Sequence, residues 1–235
     1  LSGILAIAHR GARRERPENT LAAFDEALRQ RCDGIEMDLQ LSGDGVPVIY
    51  HDRTLAKAGG GRRKVSQLKL RELRRLDVDG ERIPTLEMVL RRYAGRTQLL
   101  LELKGRGEDS HNIELVRATV KAIRKARAGA GVLLLSFDTV ILDEAERIAP
   151  KLPRVLNVKP TPRLRGALRE RLRSLFALAV DIRYLTPPFA GAVLRAGCPL
   201  LAFTCNRRGP VEQALAAGAS GIISDRPGWL REYLA

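Results

Sequence analysis

The chain has 235 residues, 45% of them apolar, and its 41 lysines and arginines outnumber 27 aspartates and glutamates for a net charge of +14. That length and apolar content suit one large domain with a substantial core, and no apolar run reaches the roughly 18 residues of a membrane span. The positive excess implies an anionic partner (a phosphorylated substrate, nucleic acid or a membrane surface), or else arginine-rich solvated helix faces. Aromatic residues are only 4% of the chain, and no RNA-binding aromatic motif or zinc-finger spacing is present, so a nucleic-acid partner is not expected. Residues 1–8 lack the basic start and long apolar core of a signal peptide. Cys32, Cys198 and Cys205 are odd in number and have no metal-like spacing. They are expected to be reduced thiols of a cytoplasmic protein. The chain does not start with Met, so a removed segment, and with it a periplasmic or secreted location, stays open.

In chain order, residues 4–8 read as a short strand ending on His9-Arg10-Gly11. Asn19 or Thr20 can cap a helix whose apolar stripe is Leu21, Phe24, Ala27 and Leu28. Residues 35–39 form a second strand, Gly43-Asp44-Gly45 a turn, and 46–50 a further strand running into His51-Asp52. Residues 53–82 break the rhythm. Gly59-Gly60-Gly61 leads into Arg62-Arg63-Lys64, and Ser66 opens a short helix with Leu68, Leu73 and Leu76 on one side. This reads as an insertion over the main body. After a helix at 85–93, strands at 99–103, 132–136, 155–158, 178–182, 200–203 and 222–224 alternate with helices. Those helices are expected at 112–126, 140–148, 164–172, 189–196, 211–217 and 229–233.

The alternation predicts right-handed βαβ units and a parallel sheet. With 46–50 counted as part of the excursion, eight strands remain, and the expectation is one (β/α)₈ TIM barrel spanning 1–235. An open doubly wound sheet is the alternative, but no GxGxxG follows the first strand. Strand carboxyl ends carry His9-Arg10, Glu36/Asp38, His51, Glu102/Lys104, Lys159, Thr204/Asn206 and Asp225. In a parallel barrel these converge on one face.

Glu36 and Asp38 lie two apart on a strand and so project together, which is costly for like charges without a cation between them. With Glu102 on a neighbouring strand they suit a hard cation such as Mg²⁺ or Ca²⁺. Each alone is equally a helix cap or half of a salt bridge. His9 and His51, on the same rim, suit general acid and base work, although either could be a metal ligand or a structural residue. His111, in a polar loop before a helix, has no assigned role. Arg10 and Lys104 suit a phosphate group or balance the acidic cluster. Three nearby carboxylates would keep Lys104 an ammonium and argue against a Schiff base.

Several motifs stand in order: HRG at 9–11, PENT at 17–20, ExD at 36–38, DGVPVIYHD at 44–52 and PTLEMVL at 84–90. ELK at 102–104, SFD at 136–138, FTCN at 203–206 and GIISDRP at 221–227 follow. Together they resemble the glycerophosphodiester phosphodiesterases, a family of (β/α)₈ barrels. The resemblance implies metal-dependent hydrolysis of glycerophosphodiesters, small-molecule substrates, to glycerol 3-phosphate and an alcohol. It further implies Glu36, Asp38 and Glu102 as ligands of one divalent cation, Mg²⁺ or Ca²⁺, and His9 and His51 as the catalytic acid/base pair. Arg10 and Lys104 become phosphate contacts, and residues 53–82 the family's insertion, covering the barrel mouth and helping to bind the alcohol. Phe203, Cys205 and Ser224 stand where that family often has Trp, Val and Thr. Such changes, with Phe203 and Asn206 as pocket residues, bear on the alcohol. Two rival functions remain. One is a lysophospholipase D whose basic insertion (Arg62, Arg63, Lys64, Lys69, Arg71, Arg74 and Arg75) touches an anionic membrane. The other is a non-catalytic barrel that binds anions or nucleic acid.

Overall fold

Runs such as 99–103 and 132–136 are apolar at nearly every position, because a strand of a parallel barrel is buried on both faces. The computed structural model describes residues 3–106, 108–159 and 170–235. Its strands are β1 (Leu5–His9), β2 (Gly34–Leu41), β3 (Pro47–Ile49), β4 (Gln98–Leu103), β5 (Val132–Ser136), β6 (Arg154–Val158), β7 (Ala177–Asp181), β8 (Leu200–Phe203) and β9 (Gly221–Ser224). The sheet runs β1-β9-β8-β7-β6-β5-β4-β2-β3, and β1 also pairs with β2. Eight parallel strands therefore close into the expected (β/α)₈ barrel. β3 lies outside it, antiparallel to β2.

The helices are α1 (Leu21–Arg29), α2 (Leu70–Leu73), α3 (Leu86–Tyr93), α4 (Asp109–Lys125), α5 (Thr139–Ile148), α6 (Pro187–Arg195), α7 (Arg208–Ala216) and α8 (Pro227–Leu234). The helix expected at 164–172 falls mostly outside the described residues. Of the two candidate caps of α1, Thr20 does the work, its Oγ1 accepting from the Ala23 N–H at 3.2 Å. The single helix expected from Ser66 is instead a 3₁₀ turn, Val65–Gln67, followed by the one-turn α2. Each turn closes on its own side chain, since the Lys64 N–H donates to Gln67 and the Lys69 N–H to Glu72. Leu68 between them is extended.

Strand parity sets the interior. Ile7, Leu100, Leu133, Leu135, Val155, Ala177, Ala179, Leu201 and Ile223 form one buried cluster inside the barrel. Residues two further along the same strands share that face. They are His9, Glu102, Phe137, Asn157, Asp181, Phe203 and Asp225, so an apolar floor passes into a polar rim at the carboxyl ends. The insertion has a separate core of Val48, Tyr50, Leu55, Ala58, Val65, Leu68, Leu73, Val78 and Ile83. All three cysteines are buried free thiols, and burial pushes Cys32 up to about 12. Among the described residues no helix is long and apolar enough to cross a membrane.

Candidate active site

The loop after β1 is bent by two left-handed residues, Arg10 at φ 59° and Gly11 at φ 80°. That bend aims the Arg10 N–H at Glu36, where Oε2 accepts it at 3.1 Å. A side chain at Gly11 would put its Cβ 2.7 Å from the Ala23 backbone, so only glycine lets the loop lie on α1. Asn19, also left-handed at φ 60°, does not cap α1. It clamps Asp38 instead, Nδ2 donating to Oδ2 at 2.8 Å and Oδ1 accepting the Asp38 N–H at 3.1 Å.

Parallel pairing of β2 with β4 sets Asp38 opposite Glu102, with Glu36 two residues earlier on the same face. Each of the three offers an oxygen, and these oxygens lie within 4.8 Å of one another. Lys104 Nζ is 2.7 Å from Asp38 and also contacts Glu102. Arg10 Nε is 3.1 Å from Asp38. Asn157 Nδ2 donates to Glu102 at 3.2 Å. Burial drives Glu36 well above the ordinary carboxylate range, and Asp38 and Glu102 push it further. Burial also raises Glu102, against the pull of Lys104. Asp38 goes the other way, because Lys104 and Arg10 outweigh its burial. The Lys104 ammonium is pulled down by burial, yet Asp38 and Glu102 hold it above the usual lysine range. Two cations thus face three buried carboxylates, and Glu36 Oε1 is buried with no hydrogen-bond partner. An unpaired buried carboxylate oxygen among hard oxygen donors fits a divalent cation.

The two histidines are built alike. His9 Nδ1 lies 2.6 Å from Asp225 Oδ1, and His51 Nδ1 lies 2.7 Å from Asp52 Oδ1. A carboxylate on Nδ1 fixes the ring and leaves Nε2 for chemistry. His9 Nε2 stands 4.0 Å from Glu36. Asp225 is itself held by Asn206, which donates to it at 2.7 Å and accepts its N–H at 2.8 Å. Lys57 holds Asp52 at 2.9 Å. Burial lowers both imidazoles, and Asp225 and Asp52 oppose that effect.

A pocket of about 370 Å³ opens over these groups. His9, Arg10, Glu36, His51, Glu102 and Lys104 line it, and so do Phe137, Lys159, Arg183 and Phe203. Six of the sequence-predicted acid/base, metal and phosphate residues thus share one cavity, and Asp38 underlies it. Asn206, expected in the pocket, turns its side chain to Asp225 and buttresses it. The insertion, expected over the barrel mouth, packs its apolar side chains into a core of their own. Lys57, Val78 and Asp79 of the insertion instead share a side hollow with Glu18, His51 and Asp52. Sequence reasoning gave no role to Asp225, Asp52, Asn157 or the clamp by Asn19. Asn19 and Asp225 do lie inside the PENT and GIISDRP motifs.

The model of the glycerophosphoryl diester phosphodiesterase family matches residues 9–229. The chain belongs to this family. A glycerophosphodiester phosphodiesterase of Caldanaerobacter subterraneus subsp. tengcongensis is 32% identical over 234 residues, covering 95% of this chain and 94% of that protein. A phosphodiesterase from Oleispira antarctica, solved with the product sn-glycerol-3-phosphate, has a TM-score of 0.88 at 30% identity, covering 98% of this chain and 96% of its own. The glycerophosphodiester phosphodiesterase of Agrobacterium tumefaciens str. C58 has a TM-score of 0.75 at 26% identity, covering 94% of this chain and 96% of its own. As a member of the family the chain is an enzyme, a phosphoric diester hydrolase of the glycerophosphodiester phosphodiesterase type. The open doubly wound sheet and the non-catalytic binding barrel are thereby set aside.

Proposed function

We propose that this enzyme cleaves glycerophosphodiesters to glycerol 3-phosphate and an alcohol, with His9 and His51 as the acid/base pair. Glu36, Asp38 and Glu102 would hold one divalent cation, Mg²⁺ or Ca²⁺. The observation that carries the reading is two histidine–carboxylate pairs in one pocket with a buried three-carboxylate cluster. The relative solved with sn-glycerol-3-phosphate supports the substrate class. When bound, the cation neutralises phosphoryl oxygens and stabilises charge in the transition state. Arg10 and Lys104 add positive charge on the same side and bind phosphoryl oxygens. One histidine, neutral, takes the proton of the nucleophile, which is water or the adjacent glycerol hydroxyl. The other, protonated, gives its proton to the alcohol oxygen as the bond from phosphorus to that oxygen breaks. Attack by the glycerol hydroxyl makes a cyclic phosphate, which water then opens with the proton roles reversed. Asp225 and Asp52 orient the rings throughout.

The test is release of glycerol 3-phosphate from glycerophosphodiesters with Mg²⁺, with Ca²⁺ and with EDTA, beside His51→Ala. Turnover is expected with a divalent cation, and loss is expected both on chelation and in the variant. Full turnover in EDTA, or in folded His51→Ala, contradicts the assignment.

A further inference from the structure

The far wall of the pocket carries a charge pattern that the hydrolytic machinery does not use. Lys159, one residue past β6, and Arg183, two residues past β7, both line the pocket. The acid beside them, Asp181, is spent: Arg183 Nε donates to its Oδ1 at 2.9 Å and to its Oδ2 at 3.2 Å, and the Arg183 N–H adds a third bond at 3.1 Å. Lys159 forms no ion pair with any carboxylate of the described residues, and residues 160–169 contain none. Its ammonium sits 5.7 Å from the centre of the Phe137 ring. Phe137 in turn packs edge-to-face on Phe203 at 6.0 Å. The most exposed aromatic ring lining the pocket, Phe137, therefore already carries a cation of the protein near one face. A quaternary ammonium bound to an enzyme needs an open aromatic face or a free carboxylate. On this wall the acid is spent on Arg183 and a lysine ammonium sits beside the aromatic ring, so the site presents an uncompensated positive charge. Lys159 also lines the adjoining opening with His51, Glu102 and Lys104, so it stands between the reacting centre and solvent.

We propose that Lys159 is a specificity-determining residue that selects glycerophosphodiesters whose leaving alcohol carries an anionic group, such as a second phosphate, and disfavours cationic alcohols such as choline. The proposal rests on the pocket being the substrate pocket. Phe137 positions the Lys159 ammonium, and Arg183, paired with the buried Asp181, keeps that acid from neutralising it. An exposed ion pair in such a wall gives about a two- to five-fold preference.

The experiment compares kcat/KM, with a divalent cation present, for three glycerophosphodiesters. Their leaving alcohols are choline, glycerol and glycerol phosphate, hence cationic, neutral and anionic. Wild type is expected to rank them anionic, neutral, cationic. Lys159→Gln is expected to lower the anionic-to-cationic ratio several-fold, and Lys159→Glu to lower it further. Both changes lie on an exposed side chain, and the fold is checked by thermal unfolding. An equal loss on all three substrates would make Lys159 an ordinary phosphate contact and overturn the proposal, as would a wild-type preference for choline. A binding arm decides the matter without turnover. By calorimetry, glycerol 1,3-bisphosphate should bind wild type about two- to five-fold more tightly than glycerol 3-phosphate. That advantage should shrink in Lys159→Gln, and an unchanged ratio in the variant would overturn the selectivity. Failure of the hydrolytic reading would show separately, as no turnover of any diester.

Discussion

At the scale of single residues, the proposed acid/base pair is an arrangement of four side chains rather than two. His51 is lowered first by its burial, while Asp38 and its hydrogen bond to Asp52 hold it up. The protonated ring is the form that Asp52 stabilises, so removing that carboxylate must lower the His51 pKa further. Asp52→Asn is therefore expected to move the His51-dependent limb of the kcat/KM–pH profile to lower pH. Turnover should fall about 10- to 100-fold as the ring loses its orienting partner. An upward shift, or an unmoved limb at full activity, would show that Asp52 does not govern this ring. Glu36, Asp38, Glu102, His9 and His51 were legible in the sequence because each stands in a motif at a strand end. Their partners were not. Asp225 meets His9 across 216 positions of sequence, and only barrel closure makes them neighbours. Asn206 follows a strand that ends on the same rim, which makes it a pocket candidate from sequence. Its side chain turns instead to Asp225, and no local pattern records that choice. Asn19 looked like a cap because capping needs only local sequence, whereas the clamp on Asp38 depends on where β2 lies.

At the scale of elements, the insertion is the part the sequence described least well. The glycine triplet and basic run locate it, but periodicity could not say what it covers. Its leucines face inward to their own cluster, and its arginines and lysines stay outside the pocket. This small core is distinct from the clusters between barrel and helices, and Leu73 is wholly buried in it. Leu73→Ala is expected to cost about 2–5 kcal/mol of local stability through the lost methyl groups and the cavity left behind. Because the cluster is separate, the opening should stay local. Amide hydrogen exchange is expected to accelerate over residues 53–82 while the protection of β5–β8 holds. Faster exchange throughout the barrel would mean that the insertion is continuous with the main core. It reaches the site through Lys57, which pairs with Asp52, the carboxylate that holds His51.

At the scale of the whole molecule, the barrel was legible because two simple rules agree. Apolar strands alternate with amphipathic helices, and polar residues gather at one end of the strands. The sheet order follows from chain order, and β3 is the one strand that breaks it, pairing back on β2 through the short turn at Ser42–Val46. The charge excess is harder to place, since arginines are spread along the chain and many pair with acids on helix faces, as Arg147 does with Glu144. Pairing cannot absorb all of it, because 41 basic residues face 27 acidic ones. A surplus of this size sets up a field that draws in an anionic diester before any contact forms. Salt shortens the reach of that field to about 10 Å at 0.1 M. With the divalent cation held constant, raising the ionic strength from about 20 to 200 mM should lower kcat/KM about three-fold or more and leave kcat nearly unchanged. The drop should be larger for a diester with a second negative charge than for a neutral-alcohol one, because its net charge samples the field more strongly. A salt-independent kcat/KM would mean that the surplus lies on faces too far from the pocket to be felt there. Loss of kcat with kcat/KM would point instead to displacement of the cation or of the Arg10 and Lys104 contacts at the reacting phosphate.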